Sequence, residues 1–321
     1  MSATLVPHVE LAGLDRPDWL AARRQGLGSS DVAAIFGLDR FKSATAVYYD
    51  KVEGFDEDES QAMKMGRLLE PVVAQCFEDE TGFALTEPPA MYRHPDHAWA
   101  LASPDRFLAS EYAPSATILG ILEAKTSRLE DDWDAVPARV EVQVQWQLAI
   151  TGLALAYVCV LLHGREVRHW RVERDDEAIG VLLDQGEQFW QRVVDRRPPP
   201  LDGHQATTDA LRSVFASAVP LSSVEIGEHG AALLAERQVA KAVLADAEKE
   251  VDRLDNTVKA LLGTNAAGTI DGEVAVTWNE IGVDRFDSKA HEAGEPECHA
   301  AYQKHSTYRR LDVKRKRKAA A

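Results

Sequence analysis

Two acids and an amine are spaced in this chain as metal-assisted hydrolysis of a phosphate ester would require. Asp105 lies in Ser103-Pro104-Asp105, and Glu123 and Lys125 lie in Ile121-Leu122-Glu123-Ala124-Lys125-Thr126. A phosphodiester resists water, so a protein that cleaves one must neutralise charge on the phosphate and activate the attacking water. Hard oxygen donors suited to Mg²⁺, with Mn²⁺ as a substitute, can hold the ion for that work. A two-residue offset along a strand puts Glu123 and Lys125 on one face, which aims Lys125 at the water or the scissile phosphate instead of the core. The backbone carbonyl of Ala124, between them, offers a further oxygen ligand. The separation of Asp105 and Glu123 suits neighbouring strands of a hairpin, and the apolar run Ile118–Leu122 reads as a buried strand ending in charge. A third acid, Glu70, stands in Gly66-Arg67-Leu68-Leu69-Glu70-Pro71.

Taken singly, each group has a plainer reading. Glu70, three residues after Arg67, would be a solvated ion pair on a helix. Ser-Pro-Asp alone is a turn, and Glu-x-Lys alone is the exposed face of an antiparallel sheet. The order helix, strand, strand is what joins them into one site.

Those groups need elements to hold them. Asp15-Arg16-Pro17 opens a helix through Trp19 to Gln25. Ser29-Ser30-Asp31 then forms an N-cap cluster for a helix over Val32–Phe36, closed by Gly37. A helix follows through Tyr48 and Tyr49, then an acidic loop, Asp56–Glu59. The helix of about Ser60–Thr81 carries Met65, Leu68, Leu69, Val72, Val73 and Phe77 on its apolar side and stops at Gly82. Short strands come next at Phe83–Leu85, Trp99–Ala102, Arg106–Leu108 and Ile118–Thr126. Across Val140–Ile150 strand and helix periods compete: Val142, Val144, Trp146 and Leu148 alternate, while Val140, Val144, Leu148 and Thr151 fit a helix. Leu155–Leu162 and Glu166–Val172 form a hairpin over His163-Gly164, and a helix runs on to Arg197. Pro198-Pro199-Pro200 marks the expected boundary between a domain of residues 1–200 and a second of residues 201–321. Beyond it, Ala240, Leu244, Ala247, Val251, Leu254, Val258 and Leu261 repeat as a coiled-coil seam ending at Gly263. Short β segments at Thr269–Ile270 and Val274–Trp278 and the basic tail Lys314–Lys318 complete the chain.

Bulk composition bounds the answer without deciding it. The chain has 321 residues, 45% hydrophobic and 27% charged, which is ordinary for a globular protein with a real core. Cys76, Cys159 and Cys298 are scattered, which excludes a disulfide framework and a four-cysteine zinc or iron–sulfur site. A reducing, cytoplasmic setting is expected. No stretch approaches the roughly 20 apolar residues of a membrane span, and the N-terminus lacks a signal-peptide pattern. A net charge of −16 runs against general attraction to nucleic acid. It leaves room, however, for a site in which metal ions and a few placed arginines hold the strand.

Residues Trp19–Arg174 resemble the YqaJ-type viral recombinase nucleases, relatives of lambda exonuclease within the PD-(D/E)xK superfamily. The resemblance rests on Arg23-Arg24-Gln25-Gly26-Leu27-Gly28-Ser29-Ser30-Asp31, Gly66-Arg67-Leu68-Leu69-Glu70-Pro71, Ser103-Pro104-Asp105, Glu123-Ala124-Lys125-Thr126 and Gln143-Val144-Gln145-Trp146-Gln147, in the family's order. It implies an α/β PD-(D/E)xK core, a small mixed sheet flanked by helices, joined to a C-terminal coiled-coil plus β module. It implies a helix at Gln143, metal binding by Asp105 and Glu123 with Glu70 sharing the site, and positioning of water and substrate by Lys125 and Gln143. It gathers Arg24, Ser30 and Ser103 around a terminal 5′-phosphate, with Arg128 a further candidate; arginine and hydroxyls at a helix N-terminus suit an anion. Where the family has Gly after the Asp, this chain has Arg106, whose side chain must point away from the metals or contact DNA.

The activity implied is magnesium-dependent 5′→3′ digestion of one strand from a duplex DNA end, leaving 3′ overhangs for recombination. A ring-shaped homo-oligomer and a single-strand annealing protein are the implied partners. The rival from another class is a noncatalytic DNA-end-binding or assembly protein on a nuclease fold. The intact Asp105, Glu123 and Lys125 set speaks against it.

Overall fold

The computed structural model describes residues 5–54, 60–113, 116–127, 133–304 and 308–313. The acidic loop 56–59, Arg128 and the basic tail 314–318 lie outside them. The chain divides into two compact units, residues 1–215 and 216–321.

In the first unit the order is β1 (Val6–Glu10), α1 (Arg16–Arg24), α2 (Ser29–Ile35), α3 (Ala44–Glu53), α4 (Gln61–Thr81), β2 (Ala84–Thr86), β3 (Ala90–Arg93), β4 (Leu101–Ala102), β5 (Arg106–Ala109), β6 (Ile118–Ser127), α5 (Ala138–Thr151), β7 (Leu155–Leu162), β8 (Glu166–Glu173), α6 (Asp176–Val194) and α7 (Gln205–Val214). A five-stranded mixed sheet runs β2-β5-β6-β7-β8, in which only β6 and β7 are parallel; a smaller sheet runs β1-β3-β4. β1 and β3 carry no alternation that the sequence made visible.

Parallel neighbours need a crossover, which a strand over Val140–Ile150 could not supply. That segment is therefore the helix α5, stopped by Gly152 in the left-handed region at φ 67°. The β7–β8 hairpin turns over the three residues 163–165, where His163 and Gly164 both have positive φ and the Arg165 N–H donates to the Leu162 carbonyl at 2.9 Å.

The sheet has two dressed faces, and β6 alternates between them. Ile121 packs in the larger core with Val144, Leu148 and Ala149 of α5, while Leu122 packs with Val73, Ala74 and Phe77 of α4. Glu123 thus follows Ile121 toward α5. On α4 the buried face is Val73, Ala74 and Phe77, whereas Met65, Leu68 and Val72, expected among its apolar side, are exposed.

The N-terminal caps also differ from expectation. Helix α2 begins at Ser29, with Gly28 as the capping residue and the Asp31 side chain accepting the Gly28 N–H at 3.0 Å. Past the three prolines the first unit continues. Helix α7 packs on α3, and the Thr207 and Ser43 hydroxyls are hydrogen-bonded at 2.7 Å.

The second unit holds α8 (Gly227–Leu262), β9 (Ala267–Ile270), β10 (Glu273–Thr277), α9 (Ser288–Gly294) and α10 (Pro296–Ala301). The seam expected from the 4,3 spacing lies on one unbroken 36-residue helix, and its residues Leu244, Val251, Leu254 and Leu261 are exposed. Among the described residues no helix is long and apolar enough to cross a membrane.

Candidate active site

Antiparallel pairing sets the first two acids side by side. Arg106 of β5 stands opposite Leu122 of β6, so Asp105, just before β5, falls next to Glu123. Beyond that pair the ladder is continued by a side chain: Asp105 Oδ2 accepts the Ala124 N–H at 2.8 Å. Ala124 thus enters the site through its amide, and Asp105 is locked to β6.

Glu123 is buried and held by three donors. Its Oε1 accepts from Lys125 Nζ and, at 2.6 Å, from Gln143 Nε2; its Oε2 accepts from Gln147 Nε2 at 2.7 Å. The expected one-face placement of Glu123 and Lys125 is what the strand produces. The helix expected at Gln143 delivers two amides, because residues four apart on α5 share a face. Between them on that helix, Gln145 bonds the backbone of Glu173 and Asp175, and Trp146 donates Nε1–H to the Leu101 carbonyl at 3.0 Å. Those two hold the helix to its surroundings.

Glu70 takes another partner. Its Oε1 accepts from Arg106 Nη1 at 2.7 Å, and the same nitrogen donates to the Asp105 carbonyl. Arg106 therefore folds back onto Glu70 and the Asp105 carbonyl as a counter-cation. Among the described residues no three acidic, histidine or cysteine side chains gather around one point that could hold a metal ion. The expected trio of Asp105, Glu123 and Glu70 does not converge here because Glu70 is turned to Arg106.

The donor set still fits a hard cation. Asp105, Glu123 and the Ala124 carbonyl present only oxygen, and Mg²⁺ is held by one or two carboxylates with several waters kept. The electrostatics agree. Burial, then the neighbouring Glu123 and Glu70 carboxylates, push Asp105 well above the usual carboxylate range, more than Lys125 and the Ala124 amide can offset. For Lys125, burial works against the ammonium, but Glu123 and Asp105 outweigh it and raise the amine. An acid cluster in which one carboxyl resists ionisation is one that a divalent cation would relieve.

A second charged cluster lies where α1, α2 and α3 meet. Asp31, fully buried, accepts from Lys42 Nζ at 2.9 Å and Lys51 Nζ at 2.8 Å. Lys51 also donates to the Arg23 carbonyl at 3.0 Å. Of the residues expected at a terminal phosphate, Ser30 accepts from Arg23 Nη2 at 2.8 Å, whereas Arg24 Nε donates to Asp50 Oδ1 at 3.1 Å. Arg23 thus stands with Ser30 in the place expected of its neighbour. Ser103 lies half-buried in the turn between β4 and β5. The two regions are tied together at Gly26-Leu27: Leu27 donates to Trp99 O at 2.7 Å and accepts from Leu101 N at 2.8 Å. A Cβ on Gly26 would sit 2.2 Å from the Trp99 carbonyl oxygen, so only glycine allows that approach.

Gln147, Arg23, and the Asp31, Lys42 and Lys51 cluster were not singled out by sequence. For Gln147 the signal was present, one helical turn after Gln143. Lys42, in the loop between α2 and α3, and Lys51 of α3 meet Asp31 only through tertiary packing.

Residues 18–154 match the family of YqaJ-like viral recombinase domains. That stretch falls almost wholly within the span that carries the sequence motifs, so the resemblance they indicated is borne out. The uncharacterized protein YqaJ of Bacillus subtilis (strain 168) is 28% identical over 310 residues, covering 94% of this chain and 95% of that one. Among solved structures, an alkaline exonuclease of Laribacter hongkongensis aligns at 20% identity over 63% of this chain and 100% of its own, with TM-score 0.46. A phage-related exonuclease from Haemophilus somnus 129PT aligns at 13% identity over 53% of this chain and 96% of its own, with TM-score 0.41.

Proposed function

We propose that this chain, whose residues 18–154 form a YqaJ-like viral recombinase domain, is a magnesium-dependent exonuclease that resects one strand of linear duplex DNA from its 5′ end. The observation that carries the reading is the joining of Asp105 to β6 through the Ala124 amide, beside a Glu123 carboxylate contacted by Lys125. Asp105 and Glu123, with the Ala124 carbonyl, would hold the cation, and Glu70 would join them on leaving Arg106. A divalent cation bound there supplies charge neutralisation on the phosphate and a lowered pKa for the attacking water. Lys125 places an ammonium beside the acids, where it can orient that water or meet charge developing on the phosphate. Gln143 keeps Glu123 in place. Arg23 or Arg24, with Ser30, Ser103 and Arg128, would take the terminal 5′-phosphate, and the hydroxyl at the start of α2 suits that anion.

On this reading the products are mononucleotides and 3′ overhangs, a substrate for a strand-annealing partner. A ring of subunits and a cytoplasmic setting complete the proposal, and residues 216–321 form its C-terminal module. Lys125→Ala should lower Mg²⁺-dependent digestion of end-labelled linear duplex by roughly 10²–10⁴-fold. If neither the wild type nor the variant digests, the nuclease reading falls and the end-binding scaffold takes its place. Equal rates on 5′-phosphorylated and 5′-hydroxyl ends would remove the phosphate pocket and the polarity drawn from it.

A further inference from the structure

We infer that Gln147 is a positioning residue for cation binding: it fixes the second oxygen of Glu123, so that the carboxylate is presented in one orientation. The inference rests on the metal-dependent reading above.

The two oxygens of Glu123 are held differently. Oε1 is shared by Lys125 and Gln143, groups close to the reacting centre. Oε2 has Gln147 Nε2, at 2.7 Å, as its donor among the described residues. Gln143 and Gln147 sit one turn apart on α5, so a single rigid helix grips both ends of one carboxylate. A carboxylate gripped at one oxygen can still rotate about its terminal torsion; gripped at both, it cannot. Outer bonds of this kind orient the ligands of metal sites and tune their affinity.

A second observation separates this role from plain packing. Gln147 is fully buried, and its carbonyl oxygen Oε1 has no hydrogen-bond partner among the described residues. Ser29 Oγ lies at the 3.5 Å limit from Nε2 and does not reach that oxygen as a partner. A buried amide with an orphaned carbonyl is a poor core residue, since an aliphatic side chain of similar length would leave no polar atom of its own unsatisfied. Turning the amide over would set Oε1 against Glu123 Oε2, oxygen on oxygen. What the amide accomplishes at this position is therefore its bond to Glu123.

The test is calorimetric titration of Mn²⁺ into the full chain after chelator treatment, for the wild type, Gln147→Met and Thr151→Val. Thr151 lies one turn further along α5, buried, and bonds the backbone carbonyl of Gln147 at 2.8 Å without touching Glu123. Gln147→Met should weaken Mn²⁺ binding by about 10–100-fold, and Thr151→Val should leave it unchanged. The metal concentration needed for half-maximal digestion should rise by the same factor, with much of the rate recovered at saturating metal. Should Gln147→Met fail to fold, Gln147→Asn keeps an amide one methylene too short to reach and must show the same weakening. Wild-type affinity in either folded variant would overturn the inference, as would equal weakening in Thr151→Val. A wild type that neither binds Mn²⁺ nor digests DNA, with all chains folded, removes the nuclease reading and this inference with it.

Discussion

Two clusters of charge are buried in the first unit, and they treat a carboxyl group in opposite ways. Asp31, between Lys42 and Lys51, is held well below the usual carboxylate range; burial opposes this, but the two ammonium groups and Arg23 outweigh it. Asp105, between Glu123 and Glu70, is pushed well above that range, with burial and like charge acting together. Burial acts on both in the same direction, so the sign of the neighbours decides the outcome. The first cluster is complete within the protein and serves as structure at the junction of α2 and α3. The second is left with excess negative charge that its own lysine and Arg106 do not cancel, and that is the arrangement a cation-binding site needs.

The contrast breaks first at Asp31. Asp31→Ala would strand Lys51, which is 1% exposed, as a buried charge without its carboxylate. Denaturant unfolding should show a loss of about 3–5 kcal/mol. A loss below 1 kcal/mol would mean that the cluster is not structural. The sign with pH follows from the depressed value. Stability from Asp31 is fully present above its unfolded pKa of about 4 and is lost only as pH falls through the lower folded value. The wild type should therefore keep the Asp31 contribution to stability undiminished from pH 8 to pH 5 and lose it only in acid.

The acid cluster should respond to metal instead. Mg²⁺ at 100 times its dissociation constant should add about 2.7 kcal/mol to stability, read as a higher melting temperature. Asp105→Asn should abolish that gain, whereas Asp31→Ala should keep it on its lowered baseline. Equal metal stabilisation in Asp105→Asn would place the cation elsewhere.

The smallest effect sharpens the link between the two regions. Gly26→Ala should cost about 1–3 kcal/mol, because its Cβ would meet the Trp99 carbonyl and push the α1–α2 turn off β4. If that turn aligns the phosphate-binding groups with the metal site, the variant should lose discrimination between 5′-phosphorylated and 5′-hydroxyl ends while still digesting both.

Much of the acid cluster was legible because local rules place it. Glu123 and Lys125 share a face by the period of a strand, and Asp105 precedes the neighbouring strand of the same hairpin. The β7–β8 turn was legible for the same reason. The lysine cluster was not: Asp31 of α2, Lys42 of the following loop and Lys51 of α3 meet through tertiary packing, and no periodicity relates residues on separate elements. Helix α4 misled in a different way. Its apolar period is genuine, yet Met65, Leu68 and Val72 stay exposed, since sequence cannot say which residues of an apolar stripe will meet a partner. The strand-or-helix ambiguity of α5 was settled by topology, because β6 and β7 are parallel.

The most direct test of the central claim uses chelator-stripped protein and end-labelled linear duplex, with Mg²⁺ restored stepwise. Digestion should be absent without divalent metal, appear as Mg²⁺ is added, and disappear in Asp105→Asn and Glu123→Gln, both shown to be folded. Undiminished digestion in the stripped protein, or in either variant, would contradict the assignment of Asp105 and Glu123 as the cation site.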